Sequence, residues 1–255
     1  MALEIQAIPA FSDNYIWALD DGRHCVVVDP GEAGGVLDRL DRTGLELAGV
    51  LLTHHHHDHI GGVDEIRRRQ PAPVWAPAGD RMPADAHTVA EGDTVRIDAL
   101  GLEFRVLETP GHTLDHIAYH GDGRLFCGDT LFSAGCGRLF EGTPEQMQES
   151  LDRLAALADG TGVFCAHEYT AENIRFALAV EPDNPALRAR ADEVARMRAD
   201  DRITLPSTIG AEKRFNPFLR TREPAVIEAA RRREPGCDSS PSAVFGVIRR
   251  WKDGF

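Results

Sequence analysis

The apolar positions of this chain fall into two regimes. As far as about residue 168 they come in short runs closed by Gly, Pro, Asp or Asn. Residues 16–19 and 25–28 are two such runs, and the turn Asp20-Asp21-Gly22-Arg23 between them predicts a β-hairpin. Further strands are predicted at residues 50–52, 73–76, 94–97, 102–107, 117–120, 125–127 and 163–165. Several of these runs are continuous rather than alternating, as in strands covered on both faces. Helical spacing interrupts them. Residues 34–42 place Val36, Leu37 and Leu40 on one face. Thr143-Pro144-Glu145-Gln146 is a capping-box pattern with Pro at the first helical position, and it opens a helix with Met147, Leu151, Leu154 and Leu157 on one stripe.

Beyond residue 168 helical patterns dominate. Residues 170–180, 186–202 and 223–233 predict helices, and Pro182-Asp183-Asn184-Pro185 predicts a break. Residues 203–218 carry prolines and a glycine and predict loop. The expected organisation is a layered α/β domain over residues 1–168 and a smaller helical domain over residues 169–255.

The 255 residues are 42% hydrophobic and 27% charged, an ordinary balance for a soluble globular protein. No apolar run approaches the roughly 20 residues that span a bilayer, so no membrane partner is expected. Met1-Ala2-Leu3-Glu4-Ile5-Gln6 has neither a basic region nor a long apolar core, so no signal peptide is expected. The formal net charge of −13 argues against a nucleic-acid partner. Basic residues are nearly all Arg, with Lys only at Lys213 and Lys252. Five cysteines, an odd number with no C-x-x-C, fit a reduced, cytoplasmic setting. Cys25, Cys127 and Cys165 lie in strand-like runs and are expected in the core.

The chemistry concentrates in Thr53-His54-His55-His56-His57-Asp58-His59, between the apolar run 50–52 and Ile60-Gly61-Gly62. That places an H-x-H-x-D-H array at a strand end, on a short loop before a glycine-opened helix. Imidazole with carboxylate suits Zn and Fe sites of the hydrolytic or oxygen-activating kind. A purification tag would be terminal, and a histidine-rich tract needs neither a fixed Asp nor a preceding strand. Three more candidates follow strands in the same manner: His112 in Thr109-Pro110-Gly111-His112-Thr113, Asp129 in Gly128-Asp129-Thr130, and His167 in Ala166-His167-Glu168. Singly, each reads as a turn residue or helix cap. As a set downstream of the array, they read as ligands projecting from strand ends.

This order of His and Asp residues resembles the binuclear hydrolases of the metallo-β-lactamase superfamily. Residues 53–58, Gly135-Cys136-Gly137-Arg138, Cys165-Ala166-His167-Glu168-Tyr169, Phe215-Asn216-Pro217-Phe218 and Arg249-Arg250-Trp251-Lys252-Asp253 resemble one family within it more closely, the hydroxyacylglutathione hydrolases or glyoxalase II. The resemblance implies an αββα sandwich, two mixed sheets between helical layers, followed by a small α-helical C-terminal domain. It implies two divalent metal ions, Zn2+ first with Fe or Mn as alternatives. His54, His56 and His112 would hold one, Asp58, His59 and His167 the other, and Asp129 would bridge both. His55, His57, His24, His87, His116 and His120 then need no ligand role.

The implied reaction is hydrolysis of S-D-lactoylglutathione to glutathione and D-lactate by a metal-bridging hydroxide, the second step of methylglyoxal detoxification. Asp58 and Asp129 would act through that hydroxide. A thiol pKa near 8.5 lets the thiolate leave without a strong general acid. Glutathione carries carboxylates, and Arg138, Arg249 and Lys252 are the resembling cationic positions, with Arg249 and Lys252 one turn apart if their segment is helical. Tyr169 could donate its hydroxyl to the peptide part. Relatives often carry Lys at position 138 and Tyr at position 140, so Phe140 forgoes a hydrogen bond and Arg138 changes geometry. A monomer is expected.

Three rival readings remain at this level. A mononuclear-iron persulfide dioxygenase of the same superfamily would not need His59 and His167 as ligands. A β-lactamase or lactonase leaves the glutathione-like segments unexplained. A metal-binding protein without catalysis would have lost at least one ligand.

Overall fold

The computed structural model describes residues 3–255, and residues 1 and 2 of the N-terminal stretch discussed above lie outside them. By contacts the chain divides into two compact units, one formed by residues up to 108 with 115–128, the other by residues 109–114 with 129–255.

The first unit opens with β1 (Glu4–Ala10), β2 (Asn14–Asp20) and β3 (His24–Val28), an antiparallel meander in which Glu4 faces Asp20 and Trp17 faces Val28. It continues through α1 (Gly34–Thr43), β4 (Glu46–Leu51), α2 (His57–Ile60), α3 (Val63–Arg69), β5 (Val74–Ala76) and β6 (His87–Thr88). From β3 to β6 the strands run parallel, so the sheet β1-β2-β3-β4-β5-β6 is mixed. β2 is buried at every position, the outcome that its continuous apolar run predicts. Val36 and Leu40 of α1 pack with Val63 and Ile66 of α3 against Val27, Val50 and Val74. β7 (Thr94–Ile97), β8 (Leu102–Glu108), β9 (Ile117–Gly121) and β10 (Arg124–Gly128) form an antiparallel run in chain order. The fully buried Tyr119 of β9 places its hydroxyl 2.9 Å from the Leu52 carbonyl and 3.1 Å from that of Trp75.

The second unit contains β11 (Leu131–Phe132), β12 (Gly135–Cys136), α4 (Pro144–Ala155), β13 (Gly162–Cys165), α5 (Thr170–Val180), α6 (Pro185–Ala199), β14 (Ser207–Thr208), α7 (Ile209–Phe215), α8 (Pro224–Arg233) and α9 (Pro241–Asp253). The predicted capping box is present on α4: Thr143 Oγ1 accepts from Gln146 N, and Gln146 Oε1 from Thr143 N. Asn184 caps α6 by accepting from Ala186 N and Leu187 N. Ile174, Ala177, Leu187, Val194 and Phe215 form a core shared by α5, α6 and α7.

Two local expectations need correction, and one strand, β1, was not predicted. Asp58 and His59 sit on the short helix α2, with His56 at its N-cap, not on a loop. β1 escapes the hydrophobic pattern because it is an edge strand whose half-exposed positions and Pro9 dilute the signal. Residues 203–218 hold β14 and α7 rather than loop alone. Pro206 precedes β14, Pro217 follows the end of α7, and Thr208 caps α7 through Ala211 N, so these residues bound elements instead of breaking them.

Cys25, Cys127, Cys136 and Cys165 are buried and Cys237 is half-buried, all as free thiols. Among the described residues no helix is long and apolar enough to cross a membrane.

A buried ion pair locks α1 to the sheet: Arg39 Nη2 lies 2.5 Å from Asp20 Oδ2 at the end of β2. Arg39→Ala leaves the buried Asp20 carboxylate without its cation, and a loss of about 3–5 kcal/mol is expected. Urea unfolding followed by circular dichroism checks this, and an unchanged midpoint would show the pair to be dispensable.

Candidate metal centre

In the first unit, β4 delivers the chain into Thr53 and His54, and α2 turns Asp58 and His59 back beside them. His54 Nε2 lies 3.1 Å from His56 Nδ1, and the His54 and His59 rings are 4.1 Å apart between centroids. Asp58 Oδ2 is 3.4 Å from His59 Nε2 and accepts from Asn14 Nδ2 at 3.0 Å. Gly31 permits this packing, because a Cβ there would lie 1.8 Å from the Asp58 carbonyl oxygen.

The protonation of these rings follows from Asp29, just beyond β3. Its Oδ1 accepts from Thr53 N and its Oδ2 from Thr53 Oγ1, each at 2.8 Å. With its hydrogen committed, Thr53 Oγ1 acts as acceptor toward His54 Nδ1 at 3.0 Å. Asp29 Oδ2 also faces His59 Nδ1 at 3.1 Å. Both rings therefore carry their proton on Nδ1 and keep the Nε2 lone pair for a metal, the usual outer-shell arrangement.

In the second unit, Asp129 stands between two histidines. Its Oδ2 lies 3.3 Å from His112 Nε2 and its Oδ1 lies 3.3 Å from His167 Nε2. One carboxylate thus offers a separate oxygen to each ring. His112 Nδ1 is 2.9 Å from the Arg138 carbonyl, which can only accept, so Nδ1 carries the proton and Nε2, facing Asp129, carries the lone pair. Tyr169 stacks on His167 with centroids 4.7 Å apart and planes 7° off parallel.

These spacings suit a metal. At a Zn–N length of about 2.05 Å, two tetrahedral ligand atoms lie about 3.3 Å apart. The four donor pairs above fall at 3.1–3.4 Å.

The cationic positions gather in the second unit. Arg249 is buried on α9, with Nη1 donating to the Cys136 carbonyl at 2.8 Å and Nη2 to Asp253 Oδ1 at 3.1 Å. Arg138 is exposed and reaches the same Asp253 oxygen at 3.8 Å. Lys252 donates to Asn173 Oδ1. Burial, reinforced by the Arg249 charge, pushes the Lys252 ammonium down to about 8. Phe140, exposed, meets the His112 ring edge to face at 5.2 Å.

The sequence reading missed Asp29, Asn14 and Asp115. Asp29 ends a buried strand and is followed by Pro-Gly, the same signal that singled out Asp129. Asp115 holds His55 Nδ1 at 2.9 Å while Arg81 approaches Nε2, which gives His55 a structural post. Likewise His116 stacks on His54, with centroids 4.6 Å apart.

Two family models together cover nearly the whole chain. The metallo-beta-lactamase superfamily matches residues 11–167, and the hydroxyacylglutathione hydrolase C-terminus matches residues 168–255. A hydroxyacylglutathione hydrolase of Ectopseudomonas mendocina is 54% identical, covering 99% of this chain and all of the relative. That of Photobacterium profundum is 52% identical over the same shares. Among solved structures, ETHE1 from Myxococcus xanthus superposes with a TM-score of 0.66 at 26% identity, covering 99% of this chain and 98% of its own. The fold is accordingly that of the metallo-β-lactamases with an added helical C-terminal part, and its His/Asp groups make it a divalent-metal protein. With more than half its residues shared end to end with proteins of that name, the chain belongs to the hydroxyacylglutathione hydrolase family of the metallo-β-lactamase superfamily.

Proposed function

We propose that this chain hydrolyses the thioester of S-(2-hydroxyacyl)glutathiones, S-D-lactoylglutathione above all, to glutathione and a 2-hydroxy acid. The observation that carries the reading is end-to-end identity above one half with hydroxyacylglutathione hydrolases, including the C-terminal part. Residues 1–168 serve as the metal-binding catalytic domain and residues 169–255 as the glutathione-binding domain. The reaction belongs in the cytoplasm, in the removal of methylglyoxal, and needs one copy of the chain.

His54, His56 and His112 would hold one metal, Asp58, His59 and His167 the other, and Asp129 would serve both. The separate approach of each Asp129 oxygen to a different histidine supports this assignment. Zn2+ suits the donor set, and Fe or Mn is compatible with it. Bound there, the metals supply Lewis acidity: they bring a water pKa to about 7 and polarise the thioester carbonyl.

The chain's own residues do the rest. Asp29 and Thr53 keep the His54 and His59 protons on Nδ1, and the Arg138 carbonyl does so for His112. Asn14 orients Asp58. Arg138, Arg249 and Lys252 bind the glutathione carboxylates, and Tyr169 donates to its peptide part. Arg249 is partly committed to the Cys136 carbonyl, so Lys252 and the exposed Arg138 carry the larger share. Phe140 gives the thioester side an apolar contact in place of a hydroxyl.

The first test is hydrolysis of S-D-lactoylglutathione by purified protein, with metals counted on the same sample. Rapid cleavage at about two metals per chain is expected; two metals without cleavage would remove the substrate, and one iron with oxygen uptake would remove the mechanism.

Asp129→Ala should abolish turnover and leave at least one metal position empty. Full metal content in that variant, measured by elemental analysis, would contradict the bridge.

Lys252 gives the pH dependence a sign. Only the ammonium attracts carboxylate, and burial makes it lose its charge as the pH rises through about 8. Thus, once the hydroxide has formed, kcat/KM should fall as the pH rises through about 8, through KM rather than kcat. Lys252→Arg stays charged throughout and should lose this alkaline limb; an unchanged limb would take Lys252 out of the clamp.

A further inference from the structure

The reaction just described leaves unused a group of buried polar side chains behind the β11–β12 hairpin. Glu212 of α7 is completely buried, an unusual state for a carboxyl group with no cation bonded to it. Its Oε2 accepts from Ala134 N at 2.8 Å and from Asn216 Nδ2 at 3.0 Å. Burial pushes its carboxyl up, and the polar groups around it, Ser207 first, oppose that rise; its Oε1 and the Ser207 and Ser133 hydroxyls make no hydrogen bond of their own.

The other partners all read the same few residues of backbone. Asn216 Nδ2, also completely buried, faces the Phe132 carbonyl at 3.0 Å and the Gly135 carbonyl at 2.9 Å. Asn173 of α5 donates to the Ser133 carbonyl at 3.0 Å, and Arg249 takes the Cys136 carbonyl. A hairpin whose strands are only two residues long satisfies little of its own backbone. Here side chains from α5, α7 and its C-cap, and α9 satisfy it instead. Ala134 occupies the left-handed region at φ 57°, and a Cβ on Gly135 would lie 2.5 Å from the Asn173 amide. The hairpin is therefore constrained at both positions.

Asp129 lies two residues before this hairpin and Arg138 two residues after it. Its exit also bears on His112, since the Arg138 carbonyl holds His112 Nδ1.

We propose that Glu212, Asn216 and Asn173 are positioning residues: they fix the 131–136 hairpin so that Asp129 and the Arg138 carbonyl are held where the metal half-site needs them. The proposal rests on the reading of Asp129 and His112 as metal ligands. Because Asn173 also accepts from Lys252, the network links the glutathione-side cation to the ligand-bearing segment.

The test uses the full chain with Glu212→Ala, Glu212→Gln and Asn173→Ala. Three quantities are read: amide hydrogen exchange of residues 129–138, zinc retained against a chelator, and kcat and KM. Glu212→Ala should speed exchange in that segment selectively, weaken zinc retention, and lower kcat about tenfold with KM within about twofold, the scale set by its two lost buried hydrogen bonds. Glu212→Gln should restore all three, because its amide oxygen can take the same two N–H donors and its NH2 can face the serine hydroxyls. If Glu212→Ala does not fold, Asn173→Ala carries the test through exchange and kcat, its effect on Lys252 falling on KM. Exchange rising evenly over the chain, with kcat per zinc-loaded molecule unchanged, would overturn the proposal. Exchange and zinc retention need no substrate, so a wild-type chain inactive on S-D-lactoylglutathione would sink the hydrolase reading and leave the network separately tested.

Discussion

The Asp29 carboxylate sets the condition on which the candidate metal-binding cluster of the first unit depends. Three donors converge on it: Thr53 N, Thr53 Oγ1 and His59 Nδ1. Fixing the Thr53 hydroxyl fixes the direction of the His54 hydrogen bond in turn. A neutral imidazole has one lone pair, and a metal ligand must present it on the inner nitrogen. One buried acid thereby settles the tautomer of two rings. The parallel strands β3 and β4 bring it there, ending side by side, and the Asp29 N–H bonds the last carbonyl of β4.

The second unit solves a different problem. Its candidate ligands His112, Asp129 and His167 lie on loops, and the two-residue strands β11 and β12 beside Asp129 cannot satisfy their own backbone. The helices beyond residue 168 supply the missing partners as side chains. They also concentrate positive charge on a chain whose net charge is −13. Arg249 and Lys252, three residues apart on α9, share the neighbourhood of Asp253, which offsets part of that charge. The C-terminal part is thus scaffold and cation source together.

Much of this was legible in the residues. The H-x-H-x-D-H array, the strand-end His112, Asp129 and His167, and the capping box of α4 all depend on local patterns with a period or a fixed spacing. The continuous runs of β2 and β3 announced buried strands. What stayed hidden is non-local. Nothing in the spacing of Glu212, Asn173 and Asn216 reveals that they converge on one hairpin, and Asn14 is 44 residues from the Asp58 that it orients. Edge strand β1 lacked a hydrophobic signature because an edge needs none. The helix α7 was masked by its prolines and glycine, which read as breakers until their positions outside or at the start of the helix are known.

The placement of the thiols has a consequence for an enzyme that liberates glutathione at its own site. Thiol–disulfide exchange needs an accessible thiolate. Four of the five cysteines are buried, and burial pushes the Cys25 thiol up to about 12. Cys136 sits 3.6 Å from the Arg249 guanidinium, an arrangement that by itself favours thiolate, yet burial outweighs it and its pKa is raised. The half-buried Cys237 is raised as well. Burial thus shields four of the five thiols from exchange with the glutathione released at the site, and the half-buried Cys237 is the position where a mixed disulfide would form first.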